Sequence, residues 1–385
     1  MIPYGRQDIA DSDIAAVCET LRSDFLTQGP QTPAFEREMA AYCGAAHACA
    51  ANSATSALHL ACLALELGPG DWLWTSPITF VASANCALHC GAQVDFVDIE
   101  PRTANLSADA LEKKLAAAEK KNRLPKIVVP VHLAGQPCDL RAIHEMARHY
   151  RFRIIEDAAH AAGARYLGEP VGNCRYSDIA VFSFHPVKII TTGEGGIALT
   201  NDEHLDRRMK LLRSHGVTRD ERDMETPPAG PWDYRQIALG YNYRMTDLQA
   251  ALGRSQLKRL DSFVARRRQL ARRYDERLAE LPPAPLEQTP DGDSSFHLYI
   301  VRVAAEKHLQ TFTALREAGI GVNLHYIPVH TQPYYRRLGF TVGDFPEAEA
   351  YYREAVSLPL YPALREAQQD AVIGKLREAL AGARC

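Results

Sequence analysis

The chain has 385 residues, room for about two domains. Hydrophobic residues make up 46%, charged residues 24%, and the formal net charge is −3. That balance is ordinary for a soluble globular protein and gives no basic surface for nucleic acid or anionic lipid. No apolar run approaches the roughly 20 residues of a membrane helix, and the opening MIPYGRQDIADSD lacks the basic and apolar parts of a signal peptide. A cytoplasmic location is expected. The nine cysteines are odd in number and include no C-x-x-C pair, which indicates neither a disulfide framework nor a zinc ribbon. Cys86 and Cys90 are spaced to share a helix face, and all nine read as small packing residues with no metal role.

In chain order, DSDIAAVCETLRSD opens on a capping residue and carries apolar positions at helical spacing. TPAFEREMAAYCG repeats the pattern and stops at glycine. HACAANS reads as a strand entering a turn, and SATSALHLACLALEL as a helix closed by GPGD. DWLWTSPITF, AQVDFVDIE, KIVVPVHLAG, FRIIEDAAH and DIAVFSFHP are short and rich in β-branched or aromatic residues. Helical stretches such as ADALEKKLAAAEKK and DLRAIHEMARHYR lie between them. This alternation predicts an α/β domain with a mainly parallel sheet covered on both faces. DERDMETPPAGPWDYRQ is polar, proline-rich and expected to be a loop. A single long helix is expected from Thr246 to about Leu281, and the arginines of RRRQLARRY within it read as a solvated face. FHLYIVRV and the segments after it predict a smaller C-terminal α+β domain. The expected division is 1–245 and 246–385.

Ligands of an open parallel sheet bind at the carboxyl ends of its strands, so the residues just after each strand carry the argument. NSATSALHL is a small-residue turn feeding a helix, suited to a phosphate or to an ordinary N-cap. RFRIIEDAAH ends a buried strand on Glu156 and Asp157. Neighbouring residues of a strand face opposite sides, so one of the two carboxylates points at the site. SFHPVKIITTGEGG places Lys188 beside the sheet edge, where partly apolar surroundings depress an amine pKa and free it to attack a carbonyl. A reactive lysine, an acid for a ring nitrogen, an aromatic for stacking and a phosphate cradle together are what pyridoxal 5′-phosphate requires.

NSATSALHLACLAL, TSPITFVASANC, DAAHAAGARY, SFHPVKIITTGEGG, LRSHGV and GYNYRMTDLQAALG, in this order, resemble the DegT/DnrJ/EryC1/StrS sugar aminotransferases. The similarity runs from IPYGRQDI to EAEAYYREAVSLPLYP, nearly the whole chain. It implies the aspartate aminotransferase fold (type I) of pyridoxal-phosphate-dependent transferases. It also implies roles for individual positions. Lys188 is the lysine that carries the cofactor, and Asp157 pairs with the pyridine nitrogen. His160 lies near the ring hydroxyl, where many relatives have glutamine. Phe80 stacks on the ring. Ala54, Thr55 and Ser183 form the phosphate cradle, Ala54 standing where glycine is frequent. Asn242 reaches the phosphate from a neighbouring subunit, which implies a homodimer with shared active sites. Lys188, Asp157 and His160 are the implied catalytic residues.

The resemblance further implies amino transfer from L-glutamate to a nucleotide-linked keto sugar. NSATSAL, PITFVASAN and TQPYYRRLG are similar to one subgroup, which aminates C4 of a UDP-linked 4-keto-6-deoxy-N-acetylhexosamine in pseudaminic acid synthesis. Another dTDP- or GDP-linked keto sugar is the alternative. Candidates to hold the sugar and diphosphate are Thr27, Gln28, Gly29, His185, His325 and Tyr326. His330 stands equally as a surface histidine or a ligand contact, and Arg244 pairs with an anion or with a nearby acid.

Overall fold

The computed structural model describes residues 1–281 and 284–381, so Cys385 lies outside the described residues. Thirteen helices are used below to place the site; the first are α1 (Asp11–Leu21), α2 (Gln31–Cys43), α3 (Ala54–Ala64) and α4 (Ala82–His89). The start of α1 differs from the expected side-chain cap. Its N-cap is Ala10, and Asp13 turns back to accept the Ala10 N–H at 2.9 Å. Helix α2 closes at Gly44 in the left-handed region (φ 78°), the conformation that only glycine adopts without strain.

Seven strands form the central sheet: β1 (His47–Ala51), β2 (Trp72–Thr75), β3 (Gln93–Phe96), β4 (Ile127–Val129), β5 (Arg153–Asp157), β6 (Ile179–Ser183) and β7 (Gly196–Thr200). Their order is β1-β7-β6-β5-β4-β2-β3. Only β7 runs against the others, pairing antiparallel with both β1 and β6. Two strands are shorter than their apolar runs because proline cannot donate to a ladder. Pro77 falls in a turn where Ser76 Oγ accepts the Ile78 N–H, and Pro130 follows the last paired residue of β4.

Alternate residues serve the two faces of the sheet. Leu73, Ile127, Val129, Ile155 and Val181 pack toward α3 and α4. Trp74, Val128 and Ile154 pack on the other face with Leu111 of α5 (Ala108–Glu119) and Ile143 of α6 (Leu140–Tyr150). Helix α7 (Glu203–Arg213) adds Leu205 and Met209 to the first of these cores.

The long helix expected after Thr246 is two helices, α8 (Asp247–Leu257) and α9 (Leu260–Leu278). The break has a charged anchor: Arg259 donates to Asp8 Oδ1 at 2.8 Å and to Asp13 Oδ2 at 2.5 Å. Before it, α8 packs on α1 and α2. After it, Leu270, Tyr274 and Leu278 of α9 enter a separate core. That core lies against the antiparallel sheet β8 (Ala284–Pro285), β9 (Tyr299–Arg302) and β10 (Ala355–Leu358). It is completed by α10 (Ala305–Glu317) and α13 (Glu366–Ala381), whereas α11 (Pro333–Arg336) and α12 (Pro346–Glu354) send Tyr335, Ala348 and Tyr351 into the first core. The arginine run is only in part the solvated face expected, with Arg272 exposed but Arg267 not. Arg267 is 1% exposed and donates from Nη1 to the carbonyls of Phe296, His297 and Leu360. The 220–236 segment is largely irregular, although Arg235–Gln236 pairs with Val217–Thr218. Among the described residues, no helix is long and apolar enough to cross a membrane, and no group of His, Cys, Asp or Glu is arranged to hold a metal ion.

Candidate active site

The carboxyl ends of β1, β5 and β6 meet the start of β7. Asp157 on β5 is in register with Val181 on β6, Ser183 with Gly196, and Gly196 with Ala51. Gly196 lies so close to the first turn of α3 that a Cβ there would sit 2.4 Å from the Ala54 nitrogen. Glycine is required for that approach. Ser53 caps α3 by accepting the Ser56 N–H at 3.1 Å. Helix geometry leaves the N–H groups of Ala54 and Thr55 without intrahelical partners. Thr55 is exposed and Ser183 is buried nearby, so donors suited to a phosphate converge on this corner.

Asp157 and Glu156 part as strand alternation requires. Asp157 is buried, its Oδ1 accepting the Ala159 N–H at 3.1 Å and its Oδ2 the Ser83 hydroxyl at 2.5 Å. Glu156 turns away and is held by His132, at 2.9 Å, and by Ser177. Lys188 is half-buried after β6, its N–H donating to the His185 carbonyl at 2.9 Å. Burial pushes its amine down to about 8, while the Asp157 carboxylate pulls the other way. That interaction places lysine and acid in one field.

His160 is buried behind them. Its Nδ1 accepts the Ala134 N–H at 3.3 Å, so the ring proton is on Nε2, which lies 3.1 Å from the Tyr326 hydroxyl. Ala134 has φ 58°, which turns its N–H inward. Burial, then the positive charge of Lys188, holds His160 well below the usual histidine range. It is therefore a neutral donor at Nε2. Phe80 is 59% exposed at the mouth, its ring 6.3 Å from that of Tyr326.

The remaining sequence candidates are spread more widely. His325 is buried, with Nδ1 2.8 Å from Ser357 Oγ and its ring 5.3 Å from Tyr4. Burial and then Lys188 depress it to about 3. His185 is exposed beside Lys188. Thr27 bridges Thr246 at the start of α8; Gln28 is exposed and Gly29 half-buried, close to Asp247. Helix α8 reaches the lysine loop through Gln249, whose side chain donates to the Glu194 carbonyl at 2.8 Å. Asn242 is exposed, and its carbonyl accepts from Asn52 at 3.5 Å. Arg244 bridges Ala51 through its backbone. His330 is neither a surface histidine nor open to a ligand: it is 0% exposed, with Nε2 2.9 Å from Glu349.

Two contacts were missed. Ser83 fixes Asp157, and PITFVASAN gave a signal, since Ser83 is one helical turn beyond Phe80. His297 has its ring 4.3 Å from that of His160. It stands in a segment read only as a strand, and no local pattern distinguishes it.

A lysine of lowered pKa, a fixed acid, a histidine donor and a glycine-lined helix start fit pyridoxal 5′-phosphate. The tight approach of Gly196 to Ala54 is the feature of this chain that a phosphate cradle needs. Fold and site together define a pyridoxal-phosphate-dependent aminotransferase. Comparison with known proteins agrees. The description of the DegT/DnrJ/EryC1/StrS aminotransferase family matches residues 7–377, and the chain belongs to that family. It is 40% identical to the spore coat polysaccharide biosynthesis protein SpsC of Bacillus subtilis, over 99% of this chain and 98% of the relative. The PMP form of the sugar aminotransferase Spr1654 of Streptococcus pneumoniae superposes with a TM-score of 0.92 at 34% identity, covering 99% of this chain and 100% of that one. It has also been solved in a PLP form. Helicobacter pylori PseC, an aminotransferase in pseudaminic acid biosynthesis, gives a TM-score of 0.90 at 30% identity, over 99% of each chain. The protein is a sugar aminotransferase with pyridoxal 5′-phosphate as cofactor.

Proposed function

We propose that the protein transfers an amino group from L-glutamate to C4 of a UDP-linked 4-keto-6-deoxy-N-acetylhexosamine. The product is UDP-4-amino-4,6-dideoxy-N-acetyl-β-L-altrosamine, as in pseudaminic acid synthesis. The observation that carries amino transfer is Lys188, partly neutral near pH 8 and in the field of Asp157 at the sheet edge. The likeness to PseC supports the choice of sugar.

When bound, the cofactor supplies an electron sink that stabilises negative charge at the carbon losing its proton. Asp157, held by Ser83 and Ala159, keeps the ring nitrogen protonated, because an opposite charge at hydrogen-bond distance favours the charged form. Lys188 Nζ takes the proton from the α-carbon of L-glutamate, and in the second half-reaction it delivers one to C4 of the sugar. A positioned base contributes about 10²–10⁴-fold to each such transfer. His160 Nε2–H would donate to the ring hydroxyl, and Phe80 would stack on the ring. Ala54, Thr55 and Ser183 hold the phosphate. Asn242 of a second copy completes the cradle, which makes the working unit a homodimer. Thr27, Gln28, Gly29, His185, His325 and Tyr326 are the proposed sugar and diphosphate contacts.

A second reading is another nucleotide-linked keto sugar, favoured by the greater identity to SpsC (40%) than to PseC (30%). Incubation of the holoenzyme with L-glutamate and a panel of UDP-, dTDP- and GDP-linked keto sugars decides between them by product mass. Turnover of UDP-4-keto-6-deoxy-L-AltNAc over its D-gluco isomer is expected. Turnover of dTDP-sugars alone would sink the UDP assignment.

A further inference from the structure

Helix α2 has no side-chain cap of its own. Its N-cap is Pro30, which offers no acceptor to the free N–H groups of the first turn. Those groups go instead to Asp247, the first residue of α8. Asp247 Oδ2 accepts the Gln31 N–H at 3.3 Å. Its Oδ1 accepts the Thr32 N–H at 3.3 Å and the Thr32 hydroxyl at 2.9 Å. Asp247 is 0% exposed. A carboxylate taken so far from water is costly, and these three donors offset that cost.

The same residue holds the other end of the loop before α2. The Asp247 N–H donates to the Leu26 carbonyl at 2.9 Å, and Thr246 bridges Thr27. Asp247 therefore grips the chain at Leu26 and again at Gln31 and Thr32, with Thr27, Gln28, Gly29 and Pro30 between the two grips. This short loop needs holding. Gln28 has φ 56°, a left-handed conformation that a residue with a Cβ adopts only at a cost. Gly29 lies against the carboxylate itself, where a Cβ would fall 2.3 Å from Asp247 Oδ2. The start of α8 also holds the loop that follows Lys188. Gln249 donates to the Glu194 carbonyl at 2.8 Å, and a Cβ on Gly195 would fall 2.7 Å from the Met245 methyl carbon. One short stretch of chain thus joins the 27–29 loop to the lysine loop.

We propose that Asp247 is a positioning residue for the keto-sugar nucleotide, its carboxylate fixing Thr27, Gln28 and Gly29 relative to Lys188. The inference rests on the reading that these three residues contact the sugar or its diphosphate. Asp247 is fully buried and acts through the loop. A carboxylate suits the task because it only accepts, and because negative charge is favoured at the start of a helix. Asparagine has the same shape but offers an NH₂ on one arm. Its oxygen serves the two donors of Thr32, which leaves its NH₂ facing the Gln31 N–H, donor against donor. That end of the loop is then released while the packing around residue 247 is kept.

The test is made on the holoenzyme of Asp247→Asn and of Thr32→Val, which removes the hydroxyl donor at 2.9 Å and is read alone if the first variant fails to fold. Two reactions are followed. One is bleaching of the band at about 400–430 nm by L-glutamate alone, which involves no sugar. The other is turnover of UDP-4-keto-6-deoxy-L-AltNAc, or of the keto sugar that replaces it in the panel above. The KM for the keto sugar should rise about tenfold in Asp247→Asn and about threefold in Thr32→Val, with kcat and the glutamate rate within about twofold of the wild type. A role in the fold alone lowers both reactions together; that result, or an unchanged KM, overturns the proposal. Gln28→Ala leaves Asp247 intact and separates the inference from the reading beneath it. If it raises the KM and Asp247→Asn does not, the loop meets the substrate and the inference about Asp247 fails alone. If neither raises the KM, the loop does not meet the sugar, and the reading and the inference fail together.

Discussion

The ionisation of Lys188 can be tested without any sugar substrate. An ordinary lysine titrates near 10.5, and burial at the edge of β6 brings this one to about 8. At pH 7.5 the neutral fraction is then ~0.24 instead of ~0.001, an advantage of roughly 240-fold in reactive amine. Stopped-flow mixing of cofactor-free protein with pyridoxal 5′-phosphate, followed in the band at about 400–430 nm, reads the attack of that amine on the aldehyde. The rate should climb about tenfold per pH unit below 8 and flatten above it. Asp157→Asn removes the carboxylate that pulls the amine upward, so its midpoint should fall below that of the wild type. The sign for stability follows from the same shift. Between about 8 and 10.5 the unfolded chain binds more protons at this lysine than the folded one, so the cofactor-free fold gains stability as pH rises through that window. A wild-type rate still climbing at pH 10, or a midpoint that rises in Asp157→Asn, would refute the argument from burial and charge.

Two other substitutions test the frame around the site. Gly196→Ala places a methyl 2.4 Å from the Ala54 nitrogen, so the start of α3 must move; overpacking of this kind costs about 1–3 kcal/mol. A lower melting temperature and cofactor binding weaker by about tenfold are expected, and an unchanged absorbance titration counts against the cradle. His330→Ala removes the partner 2.9 Å from Glu349 Oε1, which keeps only the Gly343 N–H, and losing one partner of a buried hydrogen bond costs about 1–3 kcal/mol in urea unfolding. Turnover of the folded fraction should stay unchanged. A loss of turnover at full stability would put His330 back on the substrate.

The residues proposed to do the chemistry stood in the sequence because each follows a strand, and the carboxyl edge of a parallel sheet is where backbone polarity and open space coincide. NSATSALHL, RFRIIEDAAH and SFHPVKIITTGEGG are local signals, each a strand running into a small-residue turn, and the sheet draws them together. Strand alternation required that Glu156 and Asp157 face apart. Which one reached the site depended on Ser83 from α4 and on His132 and Ser177 on the other side. The break between α8 and α9 was invisible because its anchor, Arg259, pairs with Asp8 and Asp13, far earlier in the chain. RRRQLARRY read as a solvated face because a run of arginines almost always is one. Arg267 is buried only because the carbonyls of Phe296, His297 and Leu360, distant in the chain, converge on it.

By itself, then, the sequence determined which segments alternate as strand and helix, and which of them end in the residues proposed for the chemistry. Short-range periodicity and turn chemistry carry that information. Tertiary structure alone decided the proton on His160, through a backbone N–H from Ala134, and the burial that lowers the Lys188 amine. Tautomer and ionisation are set by neighbours distant in the chain and by exclusion of water, and neither is written in any window of residues.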